Sequence, residues 1–391
     1  MWLLQELVAL IPPPQQPNPM TKACIVRPTL STGGADRVTL TLMRELPKHG
    51  IAPELILLRK EGATLDRAVG TVHSLEARSL WTSVPPLARL LRRLRPDVLF
   101  STSSGTNVPA LLAWELLGKP FRVVLSERNV LFHGGYTTKR VALAAAKRLL
   151  YPRADQVTVI SGGIGDQLVQ ELRLPREKIS VVFNPVVTEE LHMGAKAPVA
   201  HRFFDGSAPV ILGVGRFVKE KAFDVLLRAF AIVRREHGAR LLLLGEGPLR
   251  GPLELLAQEL GIAEHIDMPG FDPNPFKYMA RASVFVLTSE HEGLPGVLIQ
   301  AMACGTPVIS TDCPAGPSEI IERPGQDGFL VPVGDVAQVA ARMSELLSNS
   351  ELRCAIGAGG RTASKKFEVD ASMRLYLEAI WPGSQRAVPN V

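Results

Sequence analysis

Aromatic residues are scarce in this chain: Phe, Trp and Tyr together make up 6% of its 391 residues. A protein that grips nucleic acid by stacking bases needs more of them, interleaved with a basic stripe, and no such stripe occurs. Cysteine is scarcer, with only Cys24, Cys304, Cys313 and Cys354. None forms a C-x-x-C pair, and no Cys/His cluster has zinc spacing. The pattern suits small buried hydrophobes in a reducing cytoplasm. No run of about 18 uninterrupted apolar residues occurs, so no segment is expected to span a membrane. Residues 1–11 are apolar but short, lack a basic leader, contain Gln5 and Glu6, and run into Pro12, Pro13 and Pro14. That is neither a signal peptide nor a span. Residues 1–19 read as a loose extension, with Met20 a natural start just ahead of the first strand.

Charged residues account for 21% and hydrophobic ones for 46%, with a formal net charge of +6. This suits a globular protein of about two or three domains with a sizeable core. The mild positive balance favours polyanionic ligands, including nucleotides and anionic lipid surfaces, without choosing among them.

Strand-like apolar runs alternate with helical patterns. The first series begins with Ala23-Cys-Ile-Val26, a Gly33-Gly34 turn and a helix over residues 36–49. Strands are predicted near residues 54–58, 97–100, 122–125, 156–160 and 179–183, with helices over 87–95 and 141–150. Residues 186–208 lack periodicity and read as a linker. A second series opens at Pro209-Val-Ile-Leu212. It continues with helices over 224–236, 252–260 and 295–304, strands at 240–244, 284–287 and 307–310, and a last helix over 369–381. Such alternation predicts an α/β fold with two open parallel sheets covered on both faces. Ligands in such sheets bind beyond the carboxyl ends of the strands, and a cleft between the two units is expected.

Two stretches carry chemistry. Gly213-Val-Gly215-Arg216-Phe-Val-Lys-Glu-Lys221-Ala-Phe-Asp224 follows a buried strand and leads into a helix. Its glycines permit a tight turn. Arg216 and Lys221 could grip a diphosphate from two sides and stabilise charge on a leaving group. By itself such a loop equally fits an ordinary strand–helix turn. The second stretch is Ser289-Glu-His-Glu292-Gly293-Leu294-Pro295-Gly296-Val297-Leu298-Ile-Gln300. Pro295 is expected as the first helical residue, where its missing N–H costs nothing. The amides of Gly296, Val297 and Leu298 would then form an anion site at a positive helix end. Glu292, just ahead, could hold sugar hydroxyls or could simply cap the helix. Gln300 follows in the second helical turn.

At this point the chain resembles glycosyltransferase family 4, a group with the GT-B fold. The similarity rests on Glu292-Gly-Leu-Pro, Cys304-Gly-Thr-Pro-Val-Ile, Asp312-Cys-Pro-Ala-Gly-Pro-Ser-Glu319 and Gly328-Phe-Leu-Val. Gly245-Glu-Gly247-Pro-Leu-Arg250, Asn184-Pro-Val186 and Gly33-Gly-Ala-Asp-Arg-Val38 extend it over residues 23–380. One glycine loop would be weak evidence; these motifs in this order are jointly specific.

The resemblance implies two Rossmann-like domains with parallel sheets facing across a cleft: an acceptor-side domain over 20–186, a linker over 187–208 and a nucleotide-sugar domain over 209–365. Residues 366–391 would pack back on the first domain. It implies a retaining transferase that takes sugar from a UDP- or GDP-sugar, with Arg216, Lys221 and Glu292 catalytic. Gly215, Gly245, Gly247, Gly293, Leu294, Gly296, Val297, Leu298 and Gln300 would hold the donor, which is a co-substrate, so no cofactor is expected. Glu292 matches the first glutamate of the family's E-x7-E motif. The second position, whose glutamate binds ribose hydroxyls, is here Gln300. That departure removes a charge and one acceptor, and a weaker or altered nucleotide grip is expected. The family's glycine after the lysine is replaced by Ala222. No D-x-D triplet is present, in keeping with metal independence.

In the first domain, Gly33, Gly34, Arg128, Asn129 and His133 are the candidates for substrate contact. The amphipathic, basic residues 87–95, with residues 139–153 adding to them, could lie on an anionic membrane where lipid-linked acceptors reside, or could simply pack on the core. The expected partners are a nucleotide-sugar and a carbohydrate or lipid-linked acceptor, and the expected location is the cytoplasm, including the inner face of the membrane. Polysaccharide or lipopolysaccharide assembly is the expected setting. Two alternatives stay open from sequence: a GT-B nucleotide-sugar epimerase, and a nucleotide-sugar-binding protein without activity.

Overall fold

The computed structural model describes residues 21–31, 34–62, 64–128 and 138–382. Contacts divide the chain at Val123–Val124, inside the fifth strand.

The first part begins with β1 (Thr21–Arg27), α1 (Gly34–Glu45), β2 (Ile51–Leu57) and β3 (Thr71–Ser74). It continues with α2 (Val84–Leu94), β4 (Val98–Ser101), α3 (Ser104–Leu116) and the start of β5 (Arg122–Glu127). β1 pairs in parallel with β2 and β4, and Ala23 to Val26 are almost fully buried. A strand covered on both faces must be apolar throughout, and Ala-Cys-Ile-Val is. Arg27 ends this strand, buried, because its guanidinium is fully engaged. It reaches Asp36 Oδ1 at 2.7 Å, Thr39 Oγ1 at 3.2 Å and Ala35 O at 3.0 Å. The first turn of α1 is thereby tied to the carboxyl end of β1.

Helix α2 bears on the two readings left open for residues 87–95. Its apolar stripe, Val84, Leu87, Leu90 and Leu91, is buried against the core, while Arg89, Arg92 and Arg93 are exposed. Its apolar face is already used in packing and is not offered to a lipid surface.

The second part carries α4 (Thr138–Leu150), β6 (Gln156–Val159), α5 (Gly162–Leu172), β7 (Ile179–Val181) and α6 (Glu189–Lys196). Then come β8 (Val210–Val214), α7 (Phe223–His237), β9 (Arg240–Leu244), α8 (Arg250–Glu259), β10 (Ile266–Gly270) and α9 (Phe276–Met279). β11 (Val284–Leu287), α10 (Gly296–Ala303), β12 (Val308–Thr311), α11 (Pro317–Ile320) and β13 (Phe329–Val331) follow. Helices α12 (Val336–Ser348), α13 (Ser350–Ser364) and α14 (Val369–Ile380) close the chain. The residues read as an unstructured linker contain α6, whose first turn is capped by Thr188 accepting from Leu191 N–H at 3.3 Å. At eight residues, α6 is too short to show periodicity.

The two sheets run β3-β2-β1-β4-β5-β6-β7 and β10-β9-β8-β11-β12-β13. In the second, β8 pairs directly with β11 in parallel, Val284 opposite Ile211 and Phe285 opposite Leu212. The strand order reverses there. Loops after β8 and β11 therefore leave the sheet side by side, at the place where doubly wound sheets bind ligands. The core behind them packs Phe217, Phe223, Phe230, Leu241, Val286 and Ile309, all less than a tenth exposed.

Helix α4 bears on the same question. Lys147, within the basic residues 139–153, is buried and donates to Glu127 Oε2 at 2.8 Å. Tyr151 donates to the same oxygen at 2.9 Å. Burying an ammonium is costly without such a partner, and Lys147 belongs to the interior and not to a membrane-facing surface.

Candidate active site

Strand adjacency brings two distant residues together. Lys221 lies after β8 and Glu292 after β11, 71 residues on, and Lys221 Nζ sits 2.5 Å from Glu292 Oε1. Ser289 Oγ donates to the same oxygen at 2.7 Å. Both charged side chains are mostly but not wholly buried, at 20% and 12% exposure, so they remain within reach of a ligand.

The two loops are stitched to each other at backbone level. Thr288 Oγ1 donates to Lys221 O at 3.1 Å and to Ala222 O at 2.9 Å. Glu290 N–H donates to Glu220 O at 2.9 Å, and Thr311 Oγ1 from β12 donates to Ser289 O at 2.6 Å. Ala222 stands in the left-handed region, at φ +43 and ψ +46. The family's glycine would take that conformation without strain, whereas alanine needs the surrounding bonds to hold it. The aliphatic part of Lys221 runs over Gly215: a Cβ there would lie 3.4 Å from Lys221 Cε.

Arg216 is exposed on the same loop, and among the described residues no ion pair holds it. Gly245 and Gly247 have a different immediate task from ligand contact. Gly245 sits at φ +143, and a Cβ there would lie 1.9 Å from Gly215 O. Phe217 N–H donates to Glu246 O and Leu249 N–H to Phe217 O, at 2.9 and 3.0 Å. The 245–249 loop is thus a backbone brace under the Arg216–Lys221 loop.

Pro295 is the N-cap of α10 rather than its first helical residue, with ψ 97, and no side chain caps the helix. Leu298 N–H is already used, donating to Pro295 O at 3.0 Å, which removes it from the expected anion site. Gly296 and Val297 remain as first-turn donors. Leu294 is buried, whereas Gly293 and Gln300 are half-buried. Cys313 is close enough to feel Glu292, but burial first and that carboxylate second push its thiol up to about 12, so it stays protonated and unreactive.

Arg128 takes a structural place. It is buried, donating through Nη1 to Asn184 Oδ1 at 3.0 Å and through Nη2 to the Tyr376 hydroxyl of α14 at 3.2 Å. Its Nε is buried and has no hydrogen-bond partner among the described residues. Gly34 opens α1, next to the Arg27–Asp36 pair, which also accepts from Ser31 Oγ at 3.0 Å. Gly33, Asn129 and His133 lie outside the described residues. Sequence reading passed over Thr288, Arg27 and Tyr376, and gave Ser289 no role. Only Asp36 carried a signal, an acid in the first turn of a helix after two glycines.

Residues 200–363 match the family described as "Glycosyl transferases group 1", and residues 32–190 the one described as "Glycosyltransferase Family 4". A Campylobacter jejuni N-acetylgalactosamine-N,N'-diacetylbacillosaminyl-diphospho-undecaprenol 4-alpha-N-acetylgalactosaminyltransferase is 30% identical over 366 residues, 89% of this chain and 96% of its own. The chain belongs to glycosyltransferase family 4. The lipopolysaccharide core biosynthesis glycosyltransferase LpsE of Rhizobium meliloti is 28% identical over 356 residues, 89% of this chain and 96% of its own. Among solved structures, a glycosyltransferase from Rickettsia africae has a TM-score of 0.78 at 16% identity, covering 95% of this chain and 100% of its own. Anabaena HepE, solved with UDP and glucose, has a TM-score of 0.76 at 17% identity, covering 92% of this chain and 98% of its own. The fold of this family 4 member is GT-B, and the chain is a glycosyltransferase.

Proposed function

We propose that this glycosyltransferase moves a sugar from a UDP- or GDP-sugar onto an acceptor hydroxyl, with retention of configuration and without a metal ion. The observation that carries the reading is the Lys221–Glu292 pair at the β8/β11 switch point, beside the amino end of α10. Lys221, with Arg216, would neutralise the departing diphosphate, helped by the amides of Gly296 and Val297. Glu292 spends one oxygen on Lys221 and Ser289. Its other oxygen would accept from a donor-sugar hydroxyl. A carboxylate neutralised in this way is a poor nucleophile, which favours attack by the acceptor on the leaving-group face, a phosphate oxygen taking the proton.

We further propose a carbohydrate or lipid-linked acceptor in bacterial polysaccharide or lipopolysaccharide assembly, by likeness to the Campylobacter and Rhizobium proteins. Among the described residues no helix is long and apolar enough to cross a membrane. Contact with the inner face of a membrane would then be peripheral, through exposed Arg89, Arg92 and Arg93 and through Trp81, which is 61% exposed.

The test is release of UDP or GDP from a panel of nucleotide-sugars in EDTA, with and without undecaprenyl-diphosphate-linked saccharides. Release from one donor, dependent on acceptor and undiminished by EDTA, is expected. Loss of release in EDTA would overturn metal independence. Activity with a sugar phosphate in place of every nucleotide-sugar would overturn the donor class.

A further inference from the structure

Helix α5 is capped from a distance. Its N-cap residue, Ser161, is of the type that normally bonds the first-turn amides, yet its side chain makes no cap bond. The Ser161 hydroxyl is fully buried and has no hydrogen-bond partner among the described residues. The amides are taken instead by Glu319, 157 residues on: Gly162 N–H donates to Oε2 at 2.6 Å and Gly163 N–H to Oε1 at 3.1 Å. Serine could cap this helix unaided, so stabilising α5 does not explain a carboxylate brought from another sheet.

What Glu319 does hold is a loop. Residues 314–319 press on one side of the Glu292 loop. A Cβ on Gly316, at φ +90, would lie 2.8 Å from Gly293 O and 2.9 Å from Pro295 Cδ. On the opposite side, a Cβ on Gly293 would lie 2.8 Å from Arg128 O and 3.3 Å from Ile160 Cδ1. The segment next to Glu292 is thus a thin layer between the 314–319 loop and the segments at Arg128 and Ile160. The two bonds from Glu319 join the outer layers, and Lys366 Nζ fixes the peptide of Glu319 itself by donating to its carbonyl at 2.6 Å.

We propose that Glu319 is a positioning residue for transfer: by clamping the amino end of α5 it sets where Glu292 stands relative to the segments at Arg128 and Ile160. It touches no reacting atom. Its loss lets the Glu292 layer shift while Lys221, Arg216 and the loops that brace them stay in place. Nucleotide binding is then retained and transfer is lost. The inference rests on the donor reading proposed above.

The experiment compares the full chain with Glu319→Ala and Glu319→Gln, reading transfer kcat and, by calorimetry, the Kd for whichever of UDP or GDP the wild type releases. For Glu319→Ala, kcat is expected to fall at least about tenfold, with Kd within about threefold of wild type. Glu319→Gln, whose amide oxygen can still accept from one N–H, should fall between the two. Wild-type kcat in the Ala variant overturns the inference. So does a kcat loss matched by an equal loss of nucleotide affinity, which would mark a general structural role. Should the Ala variant not fold, the Gln variant decides by the same two readings. Failure of the donor reading looks different: the wild type itself would release neither nucleotide, and the inference would fall with it.

Discussion

Lys221 Nζ and Glu292 Oε1 stand 2.5 Å apart, although sequence assigned one to the diphosphate and the other to the sugar. The pair behaves as a unit if each charge sets the position of the other. Lys221→Ala and Glu292→Gln are each expected to lower turnover at least about tenfold. The double variant should lose much less than the product of the two. A coupling of about 0.5–3 kcal/mol is expected from residues in direct contact. Steady-state kinetics on the four proteins measure it, and strictly additive losses would show that the two act separately.

Ala222 is held left-handed at φ +43 and is 5% exposed. The strain of about 1–2 kcal/mol for an L-residue there exceeds the entropy cost of about 0.5–1 kcal/mol that glycine adds. Ala222→Gly should therefore melt at or above the wild-type temperature. Ala222→Val should melt well below it, because a β-branched side chain tolerates this conformation least. Calorimetric melting of both variants checks the order, and a glycine variant less stable than wild type would show that Thr288 and its neighbours remove the strain.

Gln300 replaces the acid that binds ribose hydroxyls in the resembling family. A charged acceptor strengthens such a bond by about 1 kcal/mol over a neutral one. Gln300→Glu is expected to tighten binding of UDP or GDP by roughly fivefold. Titration calorimetry reads this directly. Unchanged affinity would mean that the nucleotide sugar ring lies elsewhere.

Glu54 links acidity to stability. Burial alone would raise its carboxyl, but Lys22 at 2.7 Å and His73 at 2.6 Å outweigh that and hold it below its ordinary 4.5. A carboxyl depressed in the folded state adds stability above its unfolded value and loses it as pH falls through the folded one. Glu54→Gln should accordingly melt lower than wild type at about pH 7, and the gap should close as pH falls below the carboxyl's ordinary 4.5. A gap that persists in acid would assign the effect to packing.

The legible parts of this protein were those with long local signals. β1, β9 and β11 are continuous apolar runs, and α7 keeps its stripe for 15 residues, so each emerged within a few residues of its observed bounds. α6, β3 and β13 have eight, four and three residues. In α6 and β3 the apolar residues are too few for a pattern to register, and β13 is a single three-residue run. Arg128 shows the same limit for sites: an arginine after a strand invites a ligand, and nothing local reveals that Asn184 and Tyr376 already hold it.

Sequence by itself determined that the chain is a parallel α/β protein, that the loops at 213–224 and 289–300 are its candidates for chemistry, and which family it resembles. Those are properties of composition, period and short motifs, all contained within a few turns of chain. Only tertiary structure decided which candidates meet. The pairing of β8 with β11 joins Lys221 to Glu292, Leu298 N–H is used at once by Pro295 O, and Glu319 reaches α5 across 157 residues. Each follows from strand order and backbone hydrogen bonding, and residues brought together that way share no local pattern.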